Sequence, residues 1–147
     1  MTDVSVTTGT TFGMSATLPA TYDLAGYTAV TMTAIAEVID VGELAKMWNV
    51  VSHQAVGRAY PQKLKDTYDI ANITLTLGRV SSDTGQALLQ TALASSASYS
   101  FELTLPSGDY ANVTGKVIKA GIGAVASGNV ETTIVELAID PETLFEA

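Results

Sequence analysis

The chain has 147 residues, of which seven are basic and fifteen acidic, so its formal net charge is −8. That length suits one domain of ordinary size. The lack of cysteine excludes a disulfide scaffold, and a hydrophobic content of 47% argues against intrinsic disorder. The excess of acid argues against a protein that binds nucleic acid through its phosphates, and against an anionic membrane as a partner.

The first residues predict no targeting signal. Met1–Val4 contains no basic stretch followed by an apolar one, and no run approaches the ~20 apolar residues that span a bilayer. We therefore expect a soluble protein in the cytoplasm of the cell that makes it.

Residues 1–30 are rich in Thr, Ala and Gly and show no sustained hydrophobic period. We expect an extended N-terminal arm with a short strand at Val4–Thr7 and little core of its own. The large side chains of this arm need a surface to cover them, in this subunit or in a neighbour; they are Phe12, Met14, Leu18, Tyr22 and Tyr27.

From Thr28 onward, apolar and polar residues alternate as they do in β-strands. A solvated or edge strand is among those expected, because lysines alternate along residues 62–68. The strands expected in this half of the chain lie at 28–34, 35–41, 47–52, 62–68 and 70–77, with an inter-strand loop at 53–62.

One helix is predicted between the strands. Ser81–Thr84 offers several side-chain oxygens for an N-cap. Leu88, Leu89, Ala92 and Leu93 then recur at three- and four-residue spacing. We expect an amphipathic helix at about 82–95 that flanks the sheet.

Three further strands are expected at 99–105, 110–120 and 130–140. A turn at Pro106–Asp109 joins the first two, and residues 141–147 form a short acidic C-terminal tail. The whole is a single domain of mainly β class, an antiparallel β-sandwich or barrel of about seven strands with one flanking helix.

No group of residues predicts catalysis. His53 is the only histidine, so a transition-metal site would need carboxylates for every other ligand. Gly121–Ala126 matches a relaxed dinucleotide fingerprint, but a strand rather than a helix is expected after it. We therefore expect neither an enzyme nor a cofactor.

The basic residues are unevenly distributed. Four of the seven, Lys46, Arg58, Lys63 and Lys65, lie in one twenty-residue stretch. This arrangement is consistent with contacts between copies of the chain, and equally with a basic loop on an acidic protein.

The start of the helix resembles tail tube proteins of long-tailed bacteriophages. Asp83, Gly85 and Gln86 stand in the D-x-G-Q-x-x-L signature of that family. Other segments that resemble the family occur in the same order, at Phe12–Met14, Pro19–Asp23, Ile35–Asp40, Ile73–Leu77 and Tyr99–Leu103. The stretch Arg58–Pro61 matches no family signature.

The resemblance implies a structural protein without enzymatic activity. Such subunits form hexameric rings that stack into a hollow tube, and their sheets join into one continuous inner β-barrel with the helix outside it. Terminal arms and a long inter-strand loop bridge the rings, and the double-stranded genome passes through the lumen. The implied partners are further copies, a tape measure protein and tail terminator and tip proteins. The implied location is the virion tail, and the host cytoplasm during assembly.

Two sets of residues are candidates for this role. An acidic lumen wall would repel DNA phosphates and let DNA slide without specific binding; the acids that alternate with core-type residues are Glu37, Glu102 and Glu136. The candidate contacts between subunits or rings are Phe12, Tyr22, Lys46, His53, Arg58, Tyr60, Lys63 and Lys65. The alternatives are an inner tube subunit of a contractile tail or injection machine, and a monomeric β-sandwich binding module.

Overall fold

An antiparallel sheet of eight strands dominates the chain in a computed structural model, which describes residues 8–146. The strand expected at Val4–Thr7 lies outside the described residues. Two helices, α1 (Leu24–Thr28) and α2 (Thr84–Ala94), and a 3-10 helix at Pro141–Thr143 complete it. The strands are β1 (Thr11–Ser15), β2 (Thr33–Ala34), β3 (Val38–Val41), β4 (Lys46–His53), β5 (Gln62–Ile70), β6 (Ile73–Gly78), β7 (Tyr99–Thr104), β8 (Tyr110–Ile122), β9 (Thr132–Ile139) and β10 (Phe145–Glu146).

The predicted fold class is confirmed, because the chain is mainly β with one main helix beside an antiparallel sheet. Helix α2 begins two residues later than expected and is capped by Asp83. Within residues 8–146 the strand order is β2-β1-β7-β8-β9-β6-β3, with β10 beside β8, and this ladder does not close into a barrel. None of the helices in this part of the chain could cross a membrane.

The two ends of the sheet are consecutive in the chain. Strand β2 pairs with β1 and β3 pairs with β6, so only residues 35–37 separate the two edge strands. Phe12 of β1 and Val41 of β3 line the same small cavity, which shows that the sheet curls until its ends approach each other. The curl is therefore bridged by the covalent chain of residues 35–37, which we call the bridge, rather than by a hydrogen-bonded ladder.

The inside of the curl is the hydrophobic core. Alternate residues of β6 and β9 point into it, and the core also takes two side chains each from β1, β7, β8 and α2. Burial of each large apolar side chain contributes about 1.5–3 kcal/mol relative to exposure. The most deeply buried apolar side chains of the core are Met14, Ile73, Leu75, Leu77, Leu89, Phe101, Val135 and Leu137.

The segment expected to be an arm without a core belongs, from residue 11 onward, to the body of the protein. Phe12 is 4% exposed and Met14 is fully buried, both within β1. The hydroxyl of Tyr27 in α1 donates a hydrogen bond of 2.6 Å to the carbonyl oxygen of Thr143. This contact ties α1 to the C-terminal tail.

Strands β4 and β5 form a separate two-stranded sheet that projects from this body. All eight residues of β4 are exposed, and in β5 only the last residue, Ile70, is buried. Only two residues separate Ile70 from the start of β6, so the hairpin leaves the body at the Ile73 end of that strand. We call residues 46–70 the hairpin and residues 54–61 its tip.

Candidate functional site

The hairpin holds most of the candidate contact residues and differs in charge from the rest of the chain. It contains four basic and two acidic residues, a net charge of +2. The net charge of the whole chain is −8, so the residues outside the hairpin carry a net charge of −10. An acidic surface on a second copy would attract it.

One face of the hairpin is basic and aromatic. Residues directly opposite each other in the ladder share a face, and Trp48 lies opposite Tyr68 with ring centroids 4.9 Å apart. The Nζ atom of Lys46 lies 4.6 Å from the centroid of the Tyr68 ring, and that of Lys65 lies 5.4 Å from the Trp48 ring. Such cation–π contacts contribute about 0.5–1 kcal/mol at exposed sites. With Lys63, opposite Ser52, these residues make up the basic face.

The other face of the hairpin, which we call the apolar face, carries exposed apolar side chains between polar residues such as Asp69, which lies opposite Met47. Val51 and Leu64 lie opposite each other on it, and Met47 lies further towards the base. His53 is exposed at the end of β4, beside Gln62. A lone two-stranded hairpin is marginally stable in water, and an exposed apolar patch indicates a surface that a partner covers.

The tip is ordered by its own polar groups. The side-chain amide of Gln54 donates to the carbonyl oxygen of Arg58 at 2.7 Å, and the Arg58 guanidinium donates to the Gln62 side chain at 2.8 Å. Tyr60 and Val56 are left exposed beside this network. The tip therefore exposes apolar side chains on a loop that is stabilised by its own hydrogen bonds.

Two candidate contact residues lie elsewhere. Phe12 stacks on Phe101 inside the core of its own chain, with ring centroids 6.0 Å apart, so it has no surface to offer a neighbour. Tyr22 is exposed just before α1 and is not part of the hairpin. The six remaining candidates, Lys46, His53, Arg58, Tyr60, Lys63 and Lys65, are brought together by the hairpin.

The three candidate lumen acids do not form one cluster within the chain. Glu136 lies on the outer face of β9 and accepts a hydrogen bond of 3.2 Å from Asn72. Glu102 lies on the outer face of β7, half-buried, and accepts hydrogen bonds from Thr104 and Asn112. Glu37 was expected within a strand, but it stands in the bridge with a left-handed φ of 58°. The strand at this place begins only at Val38, because the chain must first turn from one end of the sheet to the other.

The signature residues at the start of α2 have a structural role. A carboxylate oxygen of Asp83 accepts from the backbone N–H groups of Gln86 and Ala36, at 3.0 and 3.2 Å. The Gln86 amide donates to the carbonyl oxygens of Ala36 and Gly78. These bonds fasten the helix to the bridge and to the end of β6.

The sequence analysis missed a second exposed apolar surface. The connection between β8 and β9 comprises residues 123–131, whereas the strands expected at 110–120 and 130–140 predicted a link at 121–129. Ile122, Val125 and Val130 are exposed there. Large apolar residues inside a predicted loop were the sequence signal that could have indicated this surface. Among residues 8–146, no three His, Asp or Glu side chains gather as metal ligands.

Comparison with solved structures shows a shared fold. A chain of the anti-feeding prophage baseplate, solved with six-fold symmetry, matches with a TM-score of 0.69 at 12% identity, covering 100% of this chain and 97% of that one. A chain from the sheath/tube terminator of the extracellular contractile injection system PVC matches with a TM-score of 0.65 at 13% identity, covering 100% and 99%. One from the tube-terminating cap of the anti-feeding prophage matches at 0.61 and 13%, covering 99% and 95%. No protein-family model matches the chain, and a comparison with curated proteins gives no match.

Proposed function

We propose that the chain is a structural subunit, without catalytic activity, of a hollow tube built from stacked hexameric rings. The observation that supports this most is that the whole chain, including its hairpin, follows the fold of chains from tube-bearing particles over nearly their full lengths. The six-fold symmetry of one of those particles supports a ring of six.

The hairpin is the proposed contact between copies. Its basic face carries Lys46, Lys63 and Lys65 beside the rings of Trp48 and Tyr68, and the rest of the chain taken together has a net charge of −10. Burial of this hairpin against a neighbour would cover its apolar face and pair its cations with carboxylates. We include Tyr22 as a second, separate contact on the strength of its exposure.

The free edges of the main sheet support closure between subunits. Strands β2 and β3 each pair on one side only within residues 8–146. Exposed edges invite pairing with another chain, and closure of the sheets of a ring into one barrel would remove them. The outer face of β6 and β9 would then line the lumen, with Glu136 among small polar residues such as Thr74 and Thr76.

The cargo of this tube is proposed to be double-stranded DNA in the tail of a phage, which an acidic wall would pass without holding. Its partners would be the tape measure, terminator and tip proteins of a virion assembled in the host cytoplasm. The second candidate is the inner tube of a contractile injection machine. It is favoured by the similarity to chains from the anti-feeding prophage and from a contractile injection system.

Charge reversal on the hairpin tests the proposal. Purified wild-type protein is expected to form tubes with a central channel in negative-stain electron microscopy. Lys63→Glu with Lys65→Glu should lose them, because carboxylates would replace the cations that face an acidic neighbour. The matched variant Lys63→Arg with Lys65→Arg should keep them, and thermal melting should be the same for all three monomers. Normal tubes in the glutamate variant would contradict this role of the hairpin.

The two cargo proposals are separated by the native particle. Particles purified from the producing cells through an affinity tag on this chain should contain nuclease-protected DNA if the tube belongs to a phage tail. A particle that lacks DNA and carries a sheath around the tube would instead support the injection machine.

A further inference from the structure

We propose that the tip of the hairpin of one copy docks on the connection between β8 and β9 of a copy in the next ring. This inference rests on the proposed tube and names the surface that receives the hairpin. We call that surface, residues 122–132, the receiving surface.

The two surfaces lie at opposite ends of the curled sheet. Strand β6 begins at Ile73, separated from the hairpin by two residues, and ends at Gly78, which pairs with Thr132 at the end of the receiving surface. Its six residues separate the two surfaces by about 20 Å at the usual rise of a strand. Stacking of identical rings in one direction requires two different, complementary surfaces at opposite ends of the subunit.

Exposed apolar side chains are concentrated on these two surfaces. Val56 at the tip is fully exposed and Val125 on the receiving surface is 88% exposed. These are the two most exposed large apolar side chains of residues 8–146, and the next four also lie on the hairpin or the receiving surface. The six are Val56, Val125, Met47, Val130, Ile122 and Tyr60. Each surface therefore has apolar area that the other can cover.

Shape and charge also fit. A cavity of about 280 Å³ opens on the receiving surface, with Val125, Val130 and Ile122 among its walls, which is room for an apolar side chain of the tip. Two exposed acids are near it: Glu131 lines the cavity, and the carbonyl oxygen of Glu37 accepts a hydrogen bond from the N–H group of Gly78, the neighbour of Arg79 in the cavity wall. Arg79 also lines the cavity, so these three groups sum to −1, a charge of opposite sign to the net +2 of the hairpin.

Disulfide trapping tests the contact directly, because the chain has no cysteine of its own. In tubes of the double variant Val56→Cys with Val125→Cys, mild oxidation should link each subunit to the next along the tube axis. A non-reducing gel should then show a ladder of bands that continues beyond six chains. A contact between neighbours within one ring would end the ladder at six.

The matched control is Val56→Cys with Ser107→Cys. Ser107 is exposed in the turn between β7 and β8, and the register of β8 places that turn at the same end of the sheet as the hairpin. This variant should form tubes but give no ladder on oxidation.

A milder substitution keeps the proposal testable without oxidation. Val125→Ser should leave the melting temperature of the monomer unchanged and raise the critical concentration for tube assembly by about tenfold, the loss expected for one buried valine. An unchanged critical concentration would overturn the inference.

The outcomes separate this inference from the proposed function. Tubes without a ladder, or with one that ends at six, overturn the docking surface and leave the tube intact. A wild-type protein that forms no tubes under any assembly condition overturns both. A ladder beyond six chains in oxidised tubes supports both.

Discussion

At the scale of single residues, the signature at the start of α2 joins parts of the chain that are far apart in sequence. Asp83 and Gln86 bind backbone groups of Ala36, and Gln86 also binds Gly78 and Val80. The resemblance identified these residues, and local spacing predicted the cap. Their long-range partners were not predictable, because the bridge was expected to be part of a strand.

Gly85 shows why the signature requires glycine. A Cβ atom there would collide with the carbonyl oxygen of Ala34 and lie 2.8 Å from the Cα atom of Ile35. Gly85→Ala should therefore lower the free energy of unfolding by about 3 kcal/mol, although alanine normally favours a helix by about 1 kcal/mol over glycine. Urea denaturation measures this. Gly121→Ala, where the added carbon meets nothing within 4 Å, should be nearly neutral; an equally stable Gly85→Ala would contradict the close contact.

The buried phenol of Tyr27 leads us to expect that the protein loses stability at strongly alkaline pH. Burial raises the pKa of its phenol to about 12, from the ordinary value of 10.0, and its hydroxyl donates to Thr143. The folded state thus holds this proton more tightly than the unfolded state, so stability present below pH 10 should fall as the pH rises towards 12. Urea midpoints between pH 8 and 12 should show the fall. Tyr27→Phe should lack this component, and a parallel fall in both proteins would contradict it.

At the scale of elements, the strands that were predicted well are those with one buried and one open face. β6 and β9 alternate in burial over six to eight residues, so their period is visible in the sequence. β1 and α1 were missed because each has only five residues, too few for a period. Their burial depends on contacts with β7 and the C-terminal tail, which are distant in sequence.

The hairpin should be the least protected element of an unassembled subunit. Its two strands have water on both faces, whereas β6 lies between β3 and β9. Amide hydrogen exchange of the monomer should therefore be fast throughout β4 and slow in β6. Assembly into tubes should slow exchange in β4 by at least tenfold. Exchange in β4 that stays fast within tubes would contradict its role as a contact.

At the scale of the whole molecule, the sequence revealed the separation of charge but not its geometry. The basic stretch was visible as a run of residues, and its projection on a hairpin places it away from the acidic body. The receiving surface could not be foreseen, because its position at the opposite end of the sheet follows from the register of β6, β8 and β9. The register between strands that are far apart in sequence is set by tertiary packing, which local sequence patterns do not show.

Removal of the tip should separate folding from assembly. Replacement of residues 54–61 by Asn-Gly, a two-residue hairpin turn, removes Val56, Arg58 and Tyr60 without touching the core. The thermal melting of the monomer should stay within about 2 °C of the wild type, while tubes disappear from electron micrographs. A clear drop in melting temperature would contradict the structural independence of the hairpin.

That independence of the hairpin has a consequence for tubes that share a cell. Since only Ile70 of the hairpin's strands is buried, substitutions elsewhere on these strands can accumulate without harm to the folding of the chain. In the proposed tube they would instead alter which copies recognise one another. Two related tube proteins made in the same cytoplasm could thus diverge at the hairpin and its receiving surface together, and each would polymerise only with its own kind.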